Sequence, residues 1–365
     1  MKKNKKTAFL AGTMIAVMLL GGCGKKEETE ATTATDAVIN ISPVATMDGS
    51  AEDITVISRD GYILSDLTGE WIDEKYANQR PLCIMINNLG EALPQSDISK
   101  AAITYEILVE GGITRLCCIF DTYDDINKLG SIRSARVPYV QLSEMYDAFY
   151  GHFGYSPTAQ SMIENNPEIL SLNGLFLEGT MYYRDSSRNA PHNVYTNSEM
   201  IAAGIEKMGY DYKHDDSYLK TFSFNYNDTD LTNGNPQPAN KVTTTFSNYS
   251  SSNFTYNSDD KRYYREEYGN PHIDAETGEQ TSYKNVIVMM VEYTTDETGY
   301  YRFIEWNKSH EIYYFTNGQY VRGYWDGNTG VTKIYYEDGT EIKLNPGNTF
   351  VTVFPFDIQE GLVIE

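Results

Sequence analysis

Two arginines bracket a pair of small residues in the segment Arg133-Ser134-Ala135-Arg136, just ahead of Pro138. A guanidinium presents a planar fork of donors that suits a carboxylate or a phosphate. Because proline is favoured in the first turn of a helix, the second arginine should stand at a helix N-terminus, which adds backbone donors and a positive partial charge. The segment therefore predicts a site for an anionic ligand.

Three charged residues of a predicted β-hairpin offer a competing interpretation. A two-residue turn at Gly111-Gly112 would place Arg115 diagonal to both Glu106 and Glu110 on one face. The two arginines after the hairpin would then pair with these glutamates and tie the hairpin to the next helix. The ligand-binding and the structural interpretations are both open.

The two glutamates also fit the residue types of a general acid and base, with one pKa raised by its neighbour. Glu106 and Glu110 are four apart on one strand, so their α-carbons should lie about 13 Å apart at about 3.3 Å per residue. Arg115 between them favours a salt-linked network instead. The opposite face, expected to be the core, carries the apolar residues Tyr105, Ile107, Val109, Leu116, Cys118 and Phe120.

Two histidines raise further alternatives. His152 precedes Ser156, and His192 lies between Asp185 and Asn193 in a predicted loop. A serine with a histidine and Asp185 would supply nucleophile, base and orienting acid, but Ser156 precedes a proline and is the expected helix N-cap. The histidines with Asp185 could instead hold a metal, yet no local spacing typical of metal ligands supports this. We predict no metal and no cofactor, and assign no catalytic residue.

Local signals predict the elements that position these residues. Helices are predicted at 138–147, 157–165 and 199–208, and strands at 82–86, 103–110, 113–120 and 148–153. Strands that alternate with helices indicate an α/β domain, which we place at residues 61–222. A linker rich in Asn, Asp, Thr, Gly and Pro follows at 223–242.

Residues 243–365 show a different pattern. Strands are predicted at 284–293, 301–306, 311–315, 320–324, 332–336 and 349–354. Asn317-Gly318 and Asp338-Gly339 indicate hairpin turns, and helix signals are nearly absent. This predicts a C-terminal antiparallel all-β domain, so the chain should be α+β overall.

The three cysteines Cys83, Cys117 and Cys118 lie in apolar, strand-like surroundings. Buried free thiols are one interpretation. A disulfide from Cys83 to one of the other two is the alternative, and it requires that their strands be neighbours.

Cys23 follows a leader at residues 1–22 that is typical of a bacterial lipoprotein. Four lysines within 2–6 precede an apolar run at 8–20 and the sequence Gly21-Gly22-Cys23. The run is too short to span a bilayer core of about 30 Å. We expect cleavage before Cys23, acylation of its thiol and a lipid anchor at the extracytoplasmic face of the cell membrane; a plain secretory signal is the alternative. Residues 23–60, rich in Thr, Ala and acids, predict a flexible tether.

Charge restricts the partners. The 365-residue chain carries −22, and removal of the four leader lysines gives −22 − 4 = −26. Such a surface repels polyanions, which excludes nucleic acid as a partner. The expected partners are membrane lipid through acylated Cys23 and a cell-wall polymer or envelope protein.

Several motifs together resemble one family. They are Arg80-Pro81, Met85-Ile86-Asn87-Asn88, Pro94-Gln95-Ser96, Tyr105-Glu106, Glu110-Gly111-Gly112-Ile113-Thr114-Arg115, Arg133-Ser134-Ala135-Arg136 and Pro191-His192-Asn193. In this order they resemble the YerB-like lipoproteins, bacterial proteins built around a domain of unknown function. The resemblance runs from about Thr68 to the C-terminus and implies a surface-tethered lipoprotein with a C-terminal β domain. It implies no reaction. Residues 89–93 lack the basic residue that the family tends to place before Pro94.

These observations favour a binding or accessory protein of the cell envelope that recognises a polar or anionic ligand. The candidate ligand-binding residues are Glu106, Glu110, Arg115, Arg133, Ser134, Arg136, His152, Asp185, His192 and Asn193. The alternative is a hydrolase or transferase of cell-wall glycan that uses Glu106 or Glu110 with His192.

Overall fold

The computed structural model describes residues 37–40, 44–45, 51–52, 55–215 and 217–365. The leader at 1–22 and Cys23 lie outside these ranges. The chain divides into two units, 1–60 and 61–365. In the first unit Ala37–Asn40 pairs with Thr55–Ser58, and Val44–Ala45 with Ala51–Glu52, both antiparallel. These strand pairs fall in the segment predicted to be an unstructured tether.

Three of the four helices described in the second unit lie where local signals predict, within two residues, and the short helix Gly174–Leu177 was not predicted. The four are Val137–Met145, Pro157–Asn165, Gly174–Leu177 and Ser198–Met208. The Ser156 side chain accepts a hydrogen bond from the Ala159 amide, and Asn197 caps the last helix in the same way. That helix ends at Gly209, whose positive φ of 69° is typical of a C-cap.

A large mixed sheet forms the centre of this unit. In spatial order its strands are Leu170–Asn173, Phe149–His152, Leu82–Asn87, Thr114–Phe120, Ile103–Leu108, Thr349–Pro355, Asn285–Val291, Ser309–Thr316 and Gln319–Asp326, the last of which also pairs with Gln237–Pro238 and Lys333–Tyr336. Phe149–His152 is parallel to both of its neighbours. Thr349–Pro355 is also parallel to both of its own neighbours, and the other pairs are antiparallel.

This sheet runs through both segments that the sequence predicted as separate domains. Thr349–Pro355, from the C-terminal part, lies between Ile103–Leu108 of the N-terminal part and Asn285–Val291. The strands of the C-terminal part are therefore mostly, but not entirely, antiparallel. Gln237–Pro238 of the predicted linker also joins the sheet edge.

A second sheet covers one face of the central sheet. Its strands are Leu362–Ile364, Lys241–Ser247, Ser250–Asn257 and Arg262–Glu267, the last of which pairs with Asn270–Pro271 and Ser282–Tyr283. The three long strands between 241 and 267 were not predicted from the sequence. Phe254 and Tyr283 of this layer pack on Phe350 of the central sheet. The helices Val137–Met145 and Pro157–Asn165 contribute to the core on the opposite face.

Short strand pairs complete the described second unit. They are Tyr62–Leu64 with Trp71–Asp73, Leu129–Gly130 with Val194–Thr196, Tyr183–Arg184 with Val194–Thr196, Ser223–Phe224 with Lys343–Leu344, and Tyr293–Thr295 with Arg302–Ile304. The helices within the described ranges are too short or too polar to span a bilayer.

The first hairpin differs from its predicted form by one residue. The Val109 amide donates to the Ile113 carbonyl at 2.8 Å, so three residues, not two, form the turn. Leu108 consequently lies opposite Thr114, and Ile107 opposite Arg115. Because successive side chains point to opposite faces, this one-residue shift places each side chain of the second strand on the face opposite to the predicted one. The predicted faces were wrong: Arg115 shares a face with Ile107, and Glu106 points to the other side.

The two predicted glycine turns also differ from each other. Asn317 and Gly318 both have positive φ, 50° and 71°, as a type I′ turn requires. At the other turn Gly339 has φ 85°, whereas Asp338 is not in the left-handed region. The hydrogen bond from the Tyr336 amide to the Thr340 carbonyl closes a three-residue loop there instead.

Candidate functional site

The Arg133–Arg136 segment is held at one end of the parallel strands. The Arg133 amide donates to the Met85 carbonyl at 3.0 Å, and the Arg133 carbonyl accepts from the Phe153 amide at 3.0 Å. The Ala135 amide donates to the Gly154 carbonyl at 2.9 Å. The segment is thus bound to the carboxyl ends of two neighbouring strands, where open α/β sheets place their ligand sites.

Glu110 lies between two of the predicted arginines. Its carboxylate accepts hydrogen bonds from Arg136 Nε at 3.0 and 2.9 Å, and from Arg136 Nη2. Arg115 Nη2 reaches Glu110 Oε1 at 3.3 Å, and Arg115 Nη1 donates to the Ser134 carbonyl. Ser134 contributes its backbone to this cluster. Of the two arginines after the hairpin, Arg136 pairs with Glu110 as predicted. The predicted pairing of Arg133 with Glu110 and of both arginines with Glu106 is wrong, because Arg133 donates to the Pro191 carbonyl and Glu106 lies on the other face of the sheet.

The electrostatics of the cluster show an excess of positive charge. Burial opposes ionisation of Glu110, but the hydrogen bonds and charges of Arg136 and Arg115 hold the pKa of Glu110 below its usual value. Burial and the neighbouring charge of Arg136 lower the pKa of Arg115 to about 10. The same two causes lower the pKa of Arg133. Three guanidinium groups facing one carboxylate leave a formal charge of 3 − 1 = +2 among these four residues.

Arg133 has the fewest partners within this cluster. Its Nη1 donates to the Pro191 carbonyl at 3.2 Å. Its Nε is buried and has no hydrogen-bond partner among the residues that the structure describes. Because Arg133, unlike Arg115 and Arg136, makes no ion pair with Glu110, its guanidinium is the group of the cluster most available to a ligand.

His192 lies beside Arg133 at the same edge. Asn87 Nδ2 donates to His192 Nδ1 at 2.7 Å, which leaves the ring proton on Nε2. Partial burial and the charge of Arg133 lower the pKa of His192. The ring is therefore neutral and offers one N–H donor. Asn87 was assigned no role from the sequence, although it belongs to one of the motifs that carry the family resemblance.

The C-terminal half of the chain contributes to this cluster through Tyr301. The guanidinium carbon of Arg136 lies 5.6 Å from the centre of the Tyr301 ring, and the ring of Tyr300 packs edge-on against Tyr301. Tyr300 is 53% exposed. An aromatic ring over the guanidinium adds a cation–π contact.

Three predicted site residues lie apart from the arginines. His152 is buried, with Nδ1 donating to the Gly154 carbonyl and Nε2 accepting from Ser171, both at 2.8 Å. Burial lowers the pKa of His152 to about 4, as expected for a neutral core histidine. Asp185 pairs with Lys128 at 2.7 Å, and Asn193 accepts from Arg184 at 3.2 Å. The structure does not bring these residues to the cluster.

A Ser-His-Asp arrangement is likewise not assembled in the described ranges. Ser156 caps its helix, and both nitrogens of His152 have other partners. The nitrogen of His192 that makes a hydrogen bond pairs with Asn87. Within these ranges no three His, Cys, Asp or Glu side chains are placed to hold a metal ion.

Glu106 belongs to a different, fully buried network on the other face of the sheet. It accepts from Thr114 at 2.7 Å and from Ser252 at 2.6 Å, and it is paired with Arg265 at 3.4 Å. Arg265 also pairs with Glu267. Glu106, Glu267 and Arg265 have side chains that are 0% exposed, so a general acid–base pair of Glu106 with Glu110 does not form.

Arg265, Glu267 and His272 belong to this network and were not predicted from the sequence. Arg265 donates to His272 Nδ1, and the other ring nitrogen of His272 contacts Gln95. Tyr263, Arg265 and Glu267 are the three buried positions of an alternating strand. Arg265 and Glu267 alternate along one strand with the same period as the core residue Tyr263, and this is the one local signal that indicates a buried ion pair.

Comparison with known proteins gives the family. Residues 67–211 match the N-terminal domain and residues 242–351 the C-terminal domain of the family described as "Protein of unknown function (DUF3048)". The chain belongs to this family.

One curated relative and one solved structure extend this result. The chain is 30% identical over 295 residues to "Putative lipoprotein YerB" of Bacillus subtilis (strain 168). The aligned region covers 79% of this chain and 85% of that protein. The chain is also similar to the crystal structure of YerB protein from Bacillus subtilis, with a TM-score of 0.73 and 27% identity. That match covers 83% of this chain and 99% of the solved chain. The predicted family is confirmed.

Proposed function

We propose that this protein is a lipoprotein of the cell envelope, anchored through acylated Cys23, that binds an anionic group at Arg133, Arg136 and His192. The leader sequence and the similarity to "Putative lipoprotein YerB" support the anchor. The observation that carries the ligand site is the formal +2 charge of three arginines and one glutamate on a chain of −22. A local positive cluster attracts an anion that the rest of the surface repels.

The arrangement supports binding more than catalysis. Glu110 is engaged by two arginines, and Glu106 is buried behind the sheet. A general base needs access to the proton that it removes. The remaining donors, Arg133 and His192, suit the oxygens of a phosphate or a carboxylate.

The binding test uses the full-length chain and two probes, inorganic phosphate and N-acetylmuramic acid, which separate phosphate from carboxylate recognition. Arg133→Gln removes the charge and leaves the Glu110 pairs in place. We expect it to weaken binding of the preferred probe by about tenfold, or about 1.4 kcal/mol, in isothermal titration calorimetry. Added salt should weaken binding by the wild-type chain.

Arg322→Gln is the matched control, because Arg322 is an arginine of the C-terminal part that pairs with Glu311 at the protein surface. It should leave the affinity unchanged. If Arg133→Gln binds both probes as tightly as wild type, or if neither probe binds the wild-type chain, the ligand site is disproved. Loss of folded structure in Arg133→Gln, seen by circular dichroism, would assign this arginine a structural role instead.

The anchor has its own test. Wild-type protein from cells fed a clickable fatty acid should carry the label and fractionate with membranes, whereas Cys23→Ser should lose the label and retain residues 1–22. An unlabelled wild-type chain with an intact leader would contradict the anchor without affecting the ligand site.

A further inference from the structure

Two adjoining clefts lie at the opposite end of the strand that leads to the arginine cluster. Leu82–Asn87 runs from Pro81, which lines the first cleft, to Asn87, which contacts His192. At about 3.3 Å per residue, Pro81 and Asn87 lie about 20 Å apart. The clefts are therefore independent of the proposed anion site.

The two clefts share a wall formed by Tyr76 and Gln79. The first has a volume of about 230 Å³ and the second about 440 Å³. Sites for small ligands have volumes of about 300–1,000 Å³. Together the clefts are large enough for a ligand that extends past Tyr76 in both directions.

Tyrosine rings are the common feature of the lining. Tyr218 lies in the first cleft, Tyr123 and Tyr212 lie in the second, and Tyr76 belongs to both. The Tyr212 side chain is 39% exposed, although its ring packs edge-on against Phe149. A tyrosine combines a flat apolar face with a polar tip, which suits a ligand whose faces are C–H groups and whose edges are hydroxyls.

The charged groups of the clefts largely neutralise one another. Lys75 pairs with Asp124 at 2.9 Å, and Lys220 pairs with Asp66 at 2.5 Å. The Asp121 carboxylate accepts from the Ser65 hydroxyl at 2.6 Å, and its burial raises the pKa of Asp121. Because acidic residues outnumber lysines in the lining, the clefts do not favour an anion. The paired charges can still form hydrogen bonds with a neutral ligand.

We propose that the two clefts form one groove that binds a neutral oligosaccharide, with the Tyr76 ring stacked on a sugar between two subsites. Sugar C–H faces match the tyrosine rings, and sugar hydroxyls match Gln79 and the carboxylates of Asp121 and Asp124. Gln79 donates from Nε2 to the Asp121 carbonyl at 3.1 Å, which orients its amide at the junction of the clefts.

The test titrates the full-length chain with cellotetraose and with tetra-N-acetylchitotetraose, both neutral, by calorimetry and saturation-transfer difference NMR. We expect saturable binding of at least one. Tyr76→Ala should weaken it by about tenfold, while Tyr76→Phe, which keeps the ring and loses only the hydroxyl bond to Asp124, should stay within about threefold of wild type. Tyr212→Ala should also weaken binding and serves if Tyr76→Ala does not fold.

The control variant is Tyr249→Ala, because Tyr249 is 70% exposed and lines neither cleft. It should bind like wild type. Inorganic phosphate should not compete with the sugar, because it would occupy the other end of the sheet. The proposal is overturned if neither sugar binds at about 10 mM, if Tyr76→Ala and Tyr212→Ala both bind normally, or if a lysine-rich peptide binds the groove and the sugars do not.

Discussion

Replacement of Arg265 by methionine should destabilise the protein far more than loss of a surface arginine. Arg265 is fully buried and pairs with Glu106 and Glu267. It also donates to Ser252 at 2.8 Å and to His272. Without it, two carboxylates remain inside the core with only neutral donors. Loss of one partner from a buried ion pair costs about 3–5 kcal/mol, and we expect a loss in this range at pH 8.

The loss should depend on pH, and its sign follows from Glu267. Burial raises the pKa of Glu267, and the nearby Glu106 charge adds to this effect, while Arg265 opposes it. A raised pKa means that the folded state binds a proton more readily than the unfolded state. Its stability therefore falls as pH rises from the unfolded value of 4.5 through the raised folded value. Arg265→Met removes the opposing charge, so its cost should shrink to about 2 kcal/mol at pH 5.

Urea unfolding at pH 5 and pH 8 measures both effects. Arg322→Met is the control, since the exposed pair of Arg322 with Glu311 should contribute at most about 1 kcal/mol. Adding Glu267→Gln to Arg265→Met removes one of the two buried carboxylates and should recover about 1–2 kcal/mol at pH 8. If Arg265→Met costs no more than Arg322→Met at both pH values, the buried ion pairs of Arg265 do not stabilise the fold.

Three further predictions concern other buried groups. His152→Gln should make the fold less sensitive to acid. Burial lowers the pKa of His152 from 6.5 to about 4, so the unfolding free energy of the wild type should fall by up to about 3 kcal/mol as pH falls through this range. Equal losses of unfolding free energy in both chains between pH 7 and 4.5 would contradict this. Ser156→Ala should lower the unfolding free energy by about 1 kcal/mol and Ser156→Asp should restore it, whereas a nucleophilic serine would tolerate neither change in activity. The Cys83–Cys117 disulfide closes a loop across 34 positions, so reduction should destabilise the fold by about 3–4 kcal/mol; alkylation of all three thiols in denatured, unreduced protein would contradict it.

The residues at the ends of the helices could be predicted because each cap bonds to backbone groups within one helical turn of its own position. Ser156 with Pro157 starts one helix, and Asn197 with Gly209 bounds another. Asn317-Gly318 likewise sets its turn through its own backbone. In the arginine cluster the pair of Arg136 with Glu110 was predicted across 26 positions, whereas the face of the hairpin on which Arg115 lies was not.

The face on which Glu106 lies could not be predicted from spacing, because it depends on whether the hairpin turn holds two residues or three. One residue of register moves every side chain of a strand to the opposite side of the sheet. Two partners of Glu106, Arg265 and Ser252, lie 159 and 146 positions away. Both are on the strands between 241 and 267, whose pairing leaves no local mark in a single sequence.

The motifs of the sequence were enough to identify the family. The helix caps and the Asn317-Gly318 turn also follow from the sequence, because short-range backbone and side-chain chemistry specifies them. Only the tertiary structure decided that Thr349–Pro355 joins both halves into one sheet, that Glu106 pairs with Arg265, and that Tyr76 separates two clefts. These depend on contacts between distant segments, whose choice is governed by the packing of whole layers rather than by any residue's neighbours in the chain.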